Sequence, residues 1–473
     1  MDYPLFEVPR MGGGVFIGIV AIIHVVIAQL AVGAGLFIAI AHTLAVRNND
    51  RLLLDFLARF GRFLVLLAFV SGAITGVGIW VTISLVSPPS TSMLIHLFVW
   101  GWAIEWVFFL IEIVAGYMYY YGWHRLTPRR HIAVAWIYAF GAFMSLAVIN
   151  GIICFMLTPG DWVPPWQDSA YDGQQAFWIG FFNPTYWPSL VLRTILSMAL
   201  AAISVAMVVN CIRSYSREQK TRIINAGSYL LMPIGLVAPA AAWFFFAVPE
   251  NSRNFAFGGA IAMTLFFAFG AVLSLFIAGY AYWALIHERS YANLQTSVLL
   301  LALAFVAVGS LEFMREGIRK PYLVHGHMYS NGILATDEWR ERINRDGLLT
   351  YARFAYPPTT TLEEVHRLPP HAMGRFVFNA QCRICHEPEG TNDPAPLVNQ
   401  SSRELLTKIT SELHELKHFM PPFLGTEHEK RALVEYQLFL AHGEAYAPPP
   451  GATSSAATPP TSRRGVRDEG DAR

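Results

Sequence analysis

Two cysteines and a histidine stand together in the run Cys382-Arg383-Ile384-Cys385-His386. Thiols at this spacing, followed at once by an imidazole, can form two thioethers to a porphyrin edge and give its iron one axial ligand. The second axial ligand of such a site is usually a methionine further along the chain. Met420-Pro421-Pro422-Phe423 fits, with prolines to stiffen the loop. A zinc knuckle would need additional cysteines or paired histidines, and His414 and His418 could supply such a pair at helical spacing. Haem c, ligated by His386 and Met420, is the reading that spacing and compartment favour.

Ionisable residues inside long apolar runs form the second set. A charged side chain in a membrane-spanning helix is costly and marks function by default. Glu105 and Glu112 lie in WAIEWVFFLIEIVAGYMYYYGW, seven residues apart, so both carboxylates share one helix face. They suit a proton path or a haem edge, or else one of them pairs with a buried Arg or Tyr. His24 lies in IIHVVIAQLAVGAGLF and is either a ligand or a hydrogen-bonded core residue. Glu312, Arg315, Glu316 and Arg319 close the last apolar run in LEFMREGIRKPY. Glu316 is placed to pair with Arg319 or with a haem propionate. Arg193 is expected to face a propionate, a carboxylate or the interface. His42, His96, His124, His131 and His287 fall near run ends and read mostly as interfacial.

These residues need a membrane scaffold. The chain has 473 residues, 54% hydrophobic and only 14% charged, against about 25% charged in soluble domains. A net charge of +1 provides no field for nucleic acid, which is excluded as a partner. Of the four cysteines, Cys154 and Cys211 sit in apolar runs and read as buried small hydrophobes, so no disulfide framework is expected. Eight runs are long enough to span a bilayer: 15–46, 62–87, 93–121, 132–157, 187–212, 224–248, 255–286 and 293–314. The first is too long for a signal-peptide core and reads as a retained helix.

The expected fold is all-α. A polytopic bundle of about eight transmembrane helices fills residues 1–315, and a polar connecting segment fills 316–370. A small helical cytochrome c domain follows at 371–443, then a disordered Pro- and Ala-rich tail at 444–473. Basic residues cluster in alternate loops: Arg47 and Arg51; Arg125, Arg129 and Arg130; Arg213, Arg217, Lys220 and Arg222; Arg289. The intervening loops are nearly bare, with only Arg253. The basic loops are therefore expected to be cytoplasmic. Both termini and the CxxCH motif then lie on the periplasmic side of a bacterial inner membrane, where such motifs receive haem.

Four stretches give the membrane part a resemblance to subunit I of the cytochrome bd oxidase family. AIIHVVIAQLAVGAGLFIAIAHTLAV looks like its first helix, WAIEWVFFLIEIVAGYMYYYGWHRL like its third, and INGIICFMLTPGDW like the end of its fourth. EGIRKPY looks like its E-x-G-R-x-P-W signature, with the glycine displaced by one residue and tyrosine in place of tryptophan. The resemblance covers about residues 10–325. It implies that His24 and Glu316 are axial ligands of the two high-spin membrane haems (haem b and/or haem d). It further implies that Arg319 holds a propionate, that Glu105 and Glu112 serve the proton route, and that a second membrane subunit is the partner.

The sequence departs from that family in three places. In FFNPTYWPSLVLRT, Arg193 falls where the low-spin haem's histidine would stand, and a protonated guanidinium cannot ligate iron. Met263 is a loose match to that haem's methionine, so the low-spin haem is expected to be missing. The quinol-binding loop between helices 6 and 7 shrinks to about PENSRNF, and a CxxCH domain replaces the last helix. The expected activity is therefore a terminal oxidase. Electrons would pass from a soluble or membrane cytochrome c-type donor through the chain's own haem c to the high-spin haems, which reduce oxygen to water. The alternative is a quinol:cytochrome c electron transferase without oxygen chemistry. A bare membrane anchor would not need intramembrane ionisable groups.

Overall fold

The structure, a computed structural model, describes residues 5–164 and 173–448. Residues 449–473, most of the expected disordered tail, lie outside the described residues. Among the described residues, eight helices are long and apolar enough to cross a membrane. They are α1 (Gly13–Arg47), α2 (Arg51–Val86), α3 (Val99–Tyr121), α4 (Pro128–Leu157), α5 (Tyr186–Cys211), α6 (Arg217–Ala247), α7 (Ile261–His287) and α8 (Leu294–Ile318). The protein is a multi-pass membrane protein.

Caps extend several helices beyond their apolar runs. The Asp50 carboxylate accepts from the Leu53 N–H at 3.1 Å and starts α2 well before its apolar stretch. Ser216 and Gln219 form a capping box that starts α6 at Arg217. Asn293 caps α8 through the Thr296 N–H at 2.8 Å. Some spans are irregular along their length. α2 contains a π-helical stretch, Val65–Gly72, and the Pro233 region of α6 tightens to a 3-10 helix. The missing N–H of a proline accounts for the second.

Close helix approach holds the centre together. A Cβ on Gly33 of α1 would lie 1.9 Å from the Ser197 carbonyl oxygen of α5. One on Gly35 would lie 2.5 Å from the Tyr138 ring of α4. Small residues at such contacts let backbones touch, which is how helices gain packing in lipid. α7, by contrast, shows exposed apolar side chains such as Ile261 and Leu275. They suit lipid or a partner subunit.

After α8 the chain forms a short antiparallel hairpin, β1 (Tyr322–Val324) and β2 (Met328–Tyr329). Among the described residues of the soluble part, the four longest helices are α9 (Asp337–Asp346), α10 (Pro370–Gln381), α11 (Arg403–Ser411) and α12 (Glu427–His442). The segment 316–370 is more than a connector. Tyr329, Ile343, Leu349 and Tyr356 share one core with Val377, Phe378, Leu424 and Leu433. Glu429 ties the parts together: its buried carboxylate accepts from Leu348 N–H and Leu349 N–H, both at 2.8 Å, and closes the cap of α12 with Thr426.

Two readings are corrected by burial. His42 and His131 are not interfacial: they are only 2% and 3% exposed, packed with Tyr119 and Trp123 where α1, α3 and α4 meet. Cys211 is exposed, because it is the last residue of α5, while Cys154 is buried as expected.

Glu429→Ala would strand three backbone donors, two of them on the buried Leu348 and Leu349. A loss of about 3 kcal/mol or more is expected. Thermal melting of the purified protein would show it as a clear fall in Tm. An unchanged Tm would mean that the two segments do not fold as one unit.

Candidate functional site

The CxxCH motif begins where α10 ends. Cys382 N–H and Arg383 N–H both bond to the Phe378 carbonyl, and the next turn brings Cys385 and His386 back to the Cys382 carbonyl. Cys382 packs against the soluble core, and burial, aided by Cys385, pushes its thiol up to about 12. The His386 ring is fixed by Nδ1, which lies 2.7 Å from the Asn392 carbonyl oxygen. A carbonyl can only accept, so Nδ1 carries the proton and Nε2 keeps its lone pair. That is the tautomer an axial ligand needs. The donor set fits haem c.

Met420 lies in the loop after α11. Its N–H donates to the Lys417 carbonyl and its carbonyl accepts from His414 Nδ1, each at 2.8 Å. His414 is thereby engaged with the backbone, and its ring lies 6.0 Å from that of His418. Among the described residues, no three His, Cys, Asp or Glu side chains converge as a metal site. The zinc alternative has no support from the donor set.

His24 of α1 faces the start of the regular second half of α2. Its Nδ1 is 3.0 Å from Thr75 Oγ1. That hydroxyl donates its single proton back to the Ser71 and Gly72 carbonyls, so it accepts from His24. Nε2 is again left as the free lone pair. Gly76 makes room for the ring: a Cβ there would lie 3.1 Å from His24 Cε1. The π-helical stretch of α2 ends at Gly72, next to this contact, where such bulges often serve a site.

At the end of α8 the charges form a cluster. Arg193 Nη2 of α5 bonds Glu312 at 2.9 Å, and Arg315 bonds the same carboxylate at 2.8 Å. Glu316 is gripped by Arg319 through Oε2, and Lys320 stands 3.4 Å from its Oε1. Four cationic side chains thus face two carboxylates. Two guanidinium donors, Arg315 Nη1 and Arg319 Nε, are buried with no partner among the described residues. Buried orphan donors amid excess positive charge call for an anion. A haem carries two propionates, so the cluster fits one. The Glu316 side chain, 46% exposed, remains accessible. Lys320 also lies near the CxxCH motif. Burial opposes its charge, but Cys385 and Glu316 outweigh it and hold the ammonium above its usual pKa.

Glu105 and Glu112 do share one face of α3, toward α4. The Ser145 hydroxyl donates to Glu105 at 2.8 Å, and the Tyr138 hydroxyl lies 3.4 Å from Glu112. Glu112 is 8% exposed. Among the described residues neither has a cationic partner. One rung further, His131 Nε2 bonds the Tyr119 carbonyl at 2.8 Å. The rungs repeat every seven residues on each helix, about 10 Å apart. Tyr138 also reaches the Ala31 carbonyl of α1, so counting seven residues back along α1 and α3 puts His24 at the depth of Glu105. His24 and Glu316 do not meet. Gly309 of α8 faces Ile22, so antiparallel helices put Glu316 about 13 Å nearer the termini than His24.

The sequence did not reveal Thr75, Tyr138, Ser145, Asn392 or Lys320 as partners of these groups. Only the seven-residue match between the carboxylates of α3 and the hydroxyls of α4 was there to be read. Arg193 was placed against a carboxylate, propionate or interface, and Glu312 is what it meets.

The spanning helices thus enclose a histidine with a free Nε2 and buried guanidinium donors without a partner among the described residues, a set suited to a haem. Residues 15–248 match the family model of cytochrome bd terminal oxidase subunit I. The fold is similar to that of the bd oxidase from Geobacillus thermodenitrificans, at TM-score 0.59 and 17% identity, over 70% of this chain and 92% of that one. No curated protein sequence matches the chain.

Thr75→Val should leave the bundle folded but free the His24 ring. Loss of such an orienting partner typically costs about 10–100-fold in metal affinity or activity. Haem counting per chain and oxygen uptake would check it. Full haem content with undiminished turnover would remove Thr75 from the site.

Proposed function

We propose that this protein is a subunit of a bd-type terminal oxidase that takes its electrons through a haem c of its own. The observation that carries the reading is the contact between the bundle and the CxxCH motif: a Cβ on Gly14, in the first turn of α1, would lie 2.8 Å from the Ile384 carbonyl oxygen. The motif therefore abuts the end of the bundle at which α1 starts and α8 closes.

When bound, the haems would carry electrons from a periplasmic cytochrome c-type donor, by way of haem c, to high-spin haem b and/or haem d and on to oxygen, giving water. The chain's residues divide the remaining work. Cys382 and Cys385 tether, while His386 and Met420 ligate. His24 and Glu316 offer ligands at two depths, and Arg315 and Arg319 bind propionates. Glu112 and Glu105 hold protons at successive rungs, each touched by a hydroxyl of α4 that can donate and accept. Glu105, at the depth of His24, is placed to deliver them.

Two features support entry through the soluble domain rather than from quinol. Arg193 occupies the low-spin ligand position and is committed to Glu312. The link between α6 and α7 spans only residues 248–260, with one short helix, Glu250–Asn254. The basic residues in alternate loops support a soluble domain on the periplasmic side of a bacterial inner membrane. A second membrane subunit, related to subunit II of the family, is the expected partner.

A reduced-minus-oxidised spectrum with pyridine haemochrome counting, followed by oxygen, tests this. The expected result is a c-band with high-spin b or d features, all reoxidised rapidly. His386→Ala should lose the c-band and keep the membrane haem signals. Membrane haems indifferent to oxygen and carbon monoxide would favour the quinol:cytochrome c transferase instead.

A further inference from the structure

The segment before α1 lies on the soluble domain, and its contacts converge on the CxxCH motif. Arg383, the first variable residue of that motif, is 8% exposed. Its guanidinium bonds Glu7 at 3.1 Å, Glu387 at 2.7 Å and the Asn379 side chain at 3.2 Å. Glu7 also bonds Arg375 of α10 at 3.2 Å. The Leu5 N–H donates to the Phe354 carbonyl at 2.9 Å.

A second contact reaches the loop after the motif. The Thr391 N–H donates to the Arg10 carbonyl at 2.9 Å. Gly390 passes so close to Arg10 that a Cβ would lie 2.2 Å from that carbonyl oxygen. The same loop supplies the Asn392 carbonyl that orients His386, and the Asn392 side chain donates to the Cys385 carbonyl at 3.1 Å. A Cβ on Gly14 of α1 would meet the Ile384 carbonyl oxygen at 2.8 Å. The cavity left at this seam is only ≈ 20 Å³, room for about one water.

We infer that residues 5–12 belong to the c-type site itself. Glu7 is a positioning residue that locks Arg383, and the Arg10 carbonyl pins the loop that sets His386. Through them the membrane bundle fixes the soluble domain at its mouth. The haem c it would carry is then a stationary relay rather than a tethered shuttle. This rests on the reading that the CxxCH motif carries haem.

A tethered shuttle would need its contacts with the bundle to break at every turnover. Here they are the ion pair of Glu7 with the buried Arg383 and two backbone hydrogen bonds, at Leu5 and Thr391, and a pair with one buried member is less screened by salt than an exposed one. Glu7 itself, 38% exposed as a side chain, can be neutralised without opening the core.

The test uses the full-length protein and its Glu7→Gln variant. Hydrogen exchange is read first, because it needs no haem. The Leu5 and Thr391 amides should be protected in the wild type and exchange at least about tenfold faster in the variant, the mark of an opened local unit. The second reading is the rate at which haem c loses its electron after oxygen is added to the reduced protein. In Glu7→Gln it should fall by about tenfold or more, as for other small misplacements of reacting groups. Reduction of haem c by a small external reductant should be unchanged. Glu7→Asp, which keeps the charge, should recover part of the internal rate. Equal exchange in both proteins, or an unslowed internal step in Glu7→Gln, overturns the inference. A wild type without a c-band but with protected amides would instead remove the haem reading and leave the latch standing.

Discussion

An ionised side chain inside the bilayer must find a partner, and this requirement shapes the site. Arg193, Arg315 and Arg319 lie at or within the ends of spanning helices, and with Lys320 they outnumber the carboxylates of Glu312 and Glu316. Removing one partner of a buried pair is strongly unfavourable, and an unpaired guanidinium more so. The two orphan donors on Arg315 and Arg319 are thus the clearest sign that the chain folds around an anionic group. A haem with its propionates would satisfy that demand. α5 and α8 are brought together by the Arg193–Glu312 bond, which also braces the cluster.

Other features follow from where that cluster sits. It closes α8, the last span, so the chain leaves the membrane beside it and turns at once into the hairpin Tyr322–Tyr329. The core formed with segment 329–356 anchors the soluble domain close to the bundle. The chain start returns to the same face and reaches the CxxCH motif through Glu7 and Arg10. The carboxylates of α3 approach from the opposite direction along α4. The charged end of α8 and the carboxylates of α3 therefore approach the depth of His24 from opposite ends of the bundle.

The architecture was legible because its signals are local. Long apolar runs mark spans, and all eight recur within several residues, extended mainly by caps at Asp50 and Ser216. Glu105 and Glu112 were visible as a face because helical periodicity is local too. What was not legible depends on partners far along the chain. Thr75 orients His24 from 51 residues away, and Glu7 meets Arg383 from the other end of the protein. The polar composition of 316–370 suggested a linker, since its apolar residues, such as Leu348 and Tyr356, are spaced too irregularly to announce a shared core. His42 and His131 looked interfacial because sequence position near a span end says nothing about the neighbouring helices that bury them.

The central claim is that electrons enter at the soluble domain. The most direct measurement is steady-state oxygen uptake by one purified preparation, given first a reduced c-type cytochrome and then a quinol. The account predicts sustained, cyanide-independent or cyanide-sensitive alike, uptake with the cytochrome donor and little with quinol. Rapid uptake with quinol and none with the cytochrome would contradict it.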